Sequence, residues 1–81
     1  MTVEDIQNKV AKIIETNLGI DLEKVVPEAS FEVDLKADSL EIVEIIMELE
    51  DQFSIEIPDE DAKNMKTVQD AIDYIAARVP S

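Results

Sequence analysis

The stretch FEVDLKADSLEIVEIIMELEDQF, residues 31–53, decides the fold. Within it, Asp38-Ser39-Leu40-Glu41 reads as a capping box. Asp38 at the N-cap accepts from the backbone N–H of Glu41, and the Glu41 side chain reaches back to the N–H of Asp38. Ser39 is then the first helical residue, and the helix should run to about Gln52. Ile42, Ile45, Ile46, Leu49 and Phe53 recur at helical spacing, as a core-facing stripe does. Leu40, Val43 and Met47 make a second ridge at i, i+3 and i+7, flanked by Glu41, Glu44, Glu48 and Asp51. One small helix rarely buries two faces, so this ridge is expected to meet a partner.

Outward from that helix, the chain carries two more cap signatures. Thr2 to Asp5 opens a first helix, whose Ile6, Val10, Ile13 and Ile14 share one apolar face. Gly19 ends it, because glycine accepts the left-handed conformation beyond a helix C-terminus. Residues 20–37 form a long loop with apolar anchors at Ile20, Leu22, Val25, Phe31 and Leu35, and a helical turn over Leu22 to Val26. A loop of this length belongs in a small domain only if it is pinned or functional. Pro58 suits the first turn of a short third helix, with Ala62 and Met65 facing inward. Thr67 to Asp70 caps a last helix with a stripe of Val68, Ala71, Ile72 and Ile75, and Pro80 follows it. Phe53 to Ile57 alternates but has no partner strand. The expected class is all-α: one domain over residues 1–81, a small four-helix bundle with a long first loop and a short third helix.

Charge narrows the function. The formal net charge is −13. Residues 1–27 balance to −2 and residues 62–81 to +1, whereas residues 28–61 carry thirteen acids against Lys36 alone. Such a surface repels nucleic acid and favours basic partners. The acids alternate with apolar residues at helical spacing, which argues for a folded acidic face and not a disordered tail. No apolar run is long enough to span a bilayer and no signal-peptide pattern precedes the first helix, so a cytosolic, monomeric protein is expected.

The chain has no Cys and no His. A hydrolase built on Ser39 would need Lys36 as its base, a poor arrangement for nucleophilic catalysis. A calcium buffer lacks the twelve-residue loop with a central glycine, since Gly19 is the only glycine, so no dedicated metal site is expected. An acidic DNA mimic fits the charge but leaves Asp38-Ser39-Leu40 unexplained. What the helix start does offer is a serine at a positive dipole end with unpaired N–H groups, where a phosphodiester would be favoured.

The segment from Phe31 to Phe53, with Ile55 to Ala62 and Thr67 to Ile75, resembles the acyl carrier proteins of type II fatty-acid synthesis. The resemblance runs from about Ile6 to Ile75 and implies a four-helix bundle that catalyses nothing. It implies 4′-phosphopantetheine on Ser39, attached from coenzyme A by a phosphopantetheinyl transferase using Mg²⁺, with acyl groups carried as thioesters. It implies docking of fatty-acid synthesis enzymes, through basic patches, on Asp38, Leu40, Glu41, Val43, Glu44, Met47 and Glu48. It also implies an acyl pocket among Ile42, Ile45, Ile46, Leu49, Ile57, Met65, Ala71 and Ile75. Carriers of polyketide, peptidyl or D-alanyl pathways share the modified serine and remain alternatives. One residue departs from the family pattern: Lys36 stands where a glycine is common, and is expected to tolerate a side chain and point to solvent. Without cysteine, the cofactor's thiol would be the only one on the protein.

Overall fold

The computed structural model describes residues 2–79. Its helices are α1 (Val3–Leu18), α2 (Ser39–Phe53), α3 (Asp59–Ala62) and α4 (Val68–Ala76), with a 3-10 turn over Leu22–Lys24. The expected four-helix class and the short third helix both stand. Pro80 and Ser81 lie outside the described residues.

Local chemistry explains each helix start. Capping boxes close α1, α2 and α4 through Thr2/Asp5, Asp38/Glu41 and Thr67/Asp70. At α2 the Glu41 N–H donates to Asp38 Oδ1 at 2.8 Å and the Asp38 N–H to Glu41 Oε1 at 3.1 Å. At α1 the Thr2 N–H donates to Asp5, and this bond holds the Asp5 carboxyl below its ordinary pKa. Gly19 ends α1 at φ 64°, as expected. Pro58 is the N-cap of α3 and not its first helical residue, because its ψ of 153° is extended.

The core centres on α1, which packs on both α2 and α4, and includes Val10, Ile14, Ile45, Leu49, Ala71 and Ile75, all at 1% exposure or less. The long loop is pinned, but by backbone as much as by side chains. Phe31 N–H donates to Lys66 O, Val68 N–H to Ala29 O and Gln69 N–H to Pro27 O, at 2.9–3.0 Å. A single antiparallel bridge joins Ser30 to Thr67. Val25, Phe31 and Leu35 are buried anchors as read from the sequence, joined by Ala29 and Ala37. Leu22 is not an anchor: the 3-10 turn directs Val25 inward and leaves Leu22 48% exposed.

α3 has four residues and buries none of them, so contacts outside the helix must fix its position. Tyr74 of α4 donates its hydroxyl to Asp61 Oδ2 at 2.6 Å. The Arg78 guanidinium stacks 3.5 Å from the Tyr74 ring centre and lies 3.9 Å from the same carboxylate. The bond to Asp61 raises the Tyr74 pKa above its ordinary value of 10.0. Because the folded value is raised, the stability from this contact is complete below about pH 10 and is lost as pH rises through the folded value. Melting curves at increasing alkaline pH should therefore show wild-type protein losing an advantage over Tyr74→Phe. A constant difference between the two would show that the contact contributes nothing through titration.

Candidate functional site

α2 presents three distinct surfaces, because successive residues rotate by roughly 100° around a helix. Ile45, Leu49 and Phe53 enter the core. Leu40, Val43 and Met47 face outward, 67%, 52% and 61% exposed. Between these, Ile42 and Ile46 face a cleft of about 770 Å³.

Ser39 sits at the mouth of this cleft. It is the first residue of α2 and is exposed, and among the described residues no hydrogen bond holds its hydroxyl. Neither of the other two described serines matches this. Ser30 is half-buried and its Oγ accepts from the Val33 N–H at 3.3 Å. Ser54 caps the C-terminal end of α2, where the helix dipole disfavours an anion. Ser39 thus combines access, freedom and the positive end of a helix. The cap consumes the N–H of Glu41, while the N–H groups of Ser39 and Leu40 have no acceptor within the helix.

The eight residues expected to form an acyl pocket divide. Ile42, Ile46, Ile57 and Met65 line the cleft. Ile45, Leu49, Ala71 and Ile75 do not: they are sealed in the core. An apolar residue on the inner side of α2 meets either the cleft or the core depending on its angle, a distinction that hydrophobic pattern alone blurs. Phe31, Val33 and Ala62 complete the apolar lining, with Val43 and Met47 at its rim. Glu50 also lines the cleft, and its carboxylate accepts from the Ile57 N–H at 3.0 Å, tying the segment after α2 to the helix. Phe31 and Val33 reach the cleft because the long loop is fastened to residues 66–69, a pairing without a sequence signal.

The expected docking residues share one side of the molecule in part. Asp38, Leu40, Val43, Glu44 and Met47 are exposed, and Glu41 is half-buried in its cap. Glu48 departs from the solvent face predicted for it. It is half-buried and its Oε2 accepts from Asn17 Nδ2 of α1 at 3.3 Å, because position 48 lies toward the α1 seam. Lys36 is exposed as expected, but its backbone is not the ordinary one its side chain suggests: φ is 56°. The positive φ that glycine would serve persists with lysine in its place.

Set beside known proteins, residues 8–75 match the family model described as a phosphopantetheine attachment site. An acyl carrier protein of Thermosynechococcus vestitus is 54% identical over 79 residues, covering 98% of both chains. One from Rubrobacter xylanophilus is 52% identical over 75 residues, covering 93% of each. The structure superposes on the acyl carrier protein from Enterococcus faecalis with a TM-score of 0.80, at 44% identity over 95% of this chain and 98% of that one. Fold and site together define a helical domain that holds a prosthetic group and performs no catalysis of its own. The chain belongs to the acyl carrier protein family. Its prosthetic group is 4′-phosphopantetheine. Among the described residues no helix is long and apolar enough to cross a membrane. The residues fit the group: a free hydroxyl at a helix N-terminus suits a phosphodiester, and an apolar cleft begins beside it.

Proposed function

We propose that Ser39 carries the 4′-phosphopantetheine and that the domain, a cytosolic monomer, delivers acyl groups to enzymes of type II fatty-acid synthesis. The observation that carries this reading is the exposed, unpartnered hydroxyl at the first position of α2, at the mouth of an apolar cleft. In the attachment step the Ser39 oxygen bonds to the pantetheine-bearing phosphorus of coenzyme A. The P–O–P linkage breaks, 3′,5′-ADP leaves, and the serine proton passes to a base of the transferase, with Mg²⁺ as its cofactor. The group, once bound, supplies the terminal thiol on which acyl chains are held as thioesters. Ser39 fixes the tether, the cap on Asp38 and Glu41 fixes Ser39, and the cleft receives apolar cargo. With a phosphopantetheinyl transferase, coenzyme A and Mg²⁺, wild-type protein should gain one cofactor mass and Ser39→Ala none. Full modification of Ser39→Ala would move the attachment elsewhere.

Docking follows from the outer side of α2. The ridge of Leu40, Val43 and Met47 supplies apolar contact, and Met adapts to more than one partner. Asp38, Glu41, Glu44 and Glu48 supply charge that steers basic surfaces and sets register. Glu44 is the clean probe, since it is exposed, whereas Glu48 also joins α2 to α1. Glu44→Lys should weaken binding to a basic synthase enzyme about ten-fold at low salt, as a charge reversal at an interface does, with the melting temperature held. Unchanged affinity, measured by calorimetry, would remove Glu44 from the interface.

A further inference from the structure

Lys36 holds a left-handed backbone, φ 56°, although it carries a Cβ. That conformation is costly for an L residue and is routinely adopted only by Gly and, less often, Asn or Asp. The other non-glycine residue there, Ser54, has a local task, since its N–H closes the end of α2 on Glu50 O. Lys36 closes no helix end, and its positive φ is set by the residues on either side. Its side chain is exposed, and among the described residues no ion pair engages it. Its neighbours are anchored instead: Leu35 and Ala37 are buried, and their N–H groups bond to Ser30 O and Phe31 O at 3.0 and 2.8 Å. Position 36 is therefore clamped on both sides with its side chain outside. The anchored backbone sets the positive φ, so what is particular to position 36 is its exposed charge. Lys36 is also the only cation among residues 28–61, and it stands three residues before Ser39.

We propose that Lys36 is a specificity-determining residue, a charge gate on the attachment face that works against partners with a cation opposite position 36. This rests on the reading of Ser39 as the attachment site. Any enzyme that reacts at or near Ser39 must bring its surface close to Lys36. A basic patch is attracted by the acids of α2 but meets one like charge at the point of closest approach. A partner with a neutral or acidic group there escapes that repulsion, so the gate separates partners that the acidic helix alone would treat alike.

The test is the steady-state kinetics of a phosphopantetheinyl transferase with a basic docking patch, acting with coenzyme A and Mg²⁺ on carrier variants. Lys36→Gln removes the charge and keeps a side chain at positive φ. Lys36→Arg keeps both. At low ionic strength Lys36→Gln should lower KM for the carrier by about two- to four-fold, the size of one partly screened charge contact. Its kcat should be unchanged, Lys36→Arg should match wild type, and the difference should fade near about 0.5 M salt. Equal KM for the Gln and Arg variants, a rise in KM for Lys36→Gln, or a difference that survives high salt would overturn the proposal. Failure of the Ser39 reading is distinct: it would show as wild type unmodified, or Ser39→Ala modified.

Discussion

Protein acylated with a six-carbon chain should melt above protein bearing the bare cofactor, and Ile46→Trp should shrink that gain. The chain exposes apolar surface in water at a cost of about 0.8 kcal/mol per methylene. The cleft begins at Ser39 and is lined by Ile42, Ile46, Ile57, Met65, Phe31 and Ala62. Partial burial there should give about 1–2 kcal/mol, or about 5–15 °C in a domain of this size. A group that binds only the folded state must stabilise it. Ile46 and Ile57 both border the cleft, so Trp at either position fills space the cargo needs. Overpacking itself destabilises, so acylated and unacylated forms must be compared within each variant. Equal melting temperatures for the two wild-type forms would place the chain outside the protein.

Leu49→Ala should be the most damaging of the conservative core changes. Leu49 is fully buried where α2 meets α1, in the sealed core and away from the cleft. Removing a buried Leu side chain costs about 2–5 kcal/mol, because lost transfer energy and an unfilled cavity add. A domain of this size has a total stability of roughly 4–12 kcal/mol, so this change takes a large share of it. Val33→Ala, at a position 75% exposed, should stay within about 0.5 kcal/mol of wild type. Urea unfolding of both variants distinguishes the cases. A loss under 1 kcal/mol for Leu49→Ala would mean that the core around α2 relaxes freely.

The contrast between Leu49 and Ile46 shows where sequence reading reaches its limit. The helix starts were legible because a capping box is a local device: Thr2/Asp5, Asp38/Glu41 and Thr67/Asp70 each need only residues three apart. The buried stripes of α1 and α4 were legible because each meets a single apolar surrounding. α2 meets three, and the pattern separated its outer ridge from its inner face but not cleft from core. Glu48 was misread for a related reason, since only the tertiary approach of Asn17 shows that position 48 borders α1. The bridge between Ser30 and Thr67 joins residues far apart in sequence through backbone atoms, which leave no mark on side-chain identity. Lys36 ran the other way: its side chain argued for an ordinary backbone, and the anchored residues around it impose positive φ regardless. Ser39 was legible as a capped helix start, while its place at the cleft mouth depends on where the long loop is fastened.

The most direct test is mass spectrometry of the protein isolated from cells that modify it. Cleavage after Lys36 and Lys63 releases a peptide that contains both Ser39 and Ser54. Fragmentation of that peptide should place a single 4′-phosphopantetheine, alone or acylated, on Ser39 and leave Ser54 bare. The group on Ser54, on Ser30 in the preceding peptide, or on no serine at all would contradict the account.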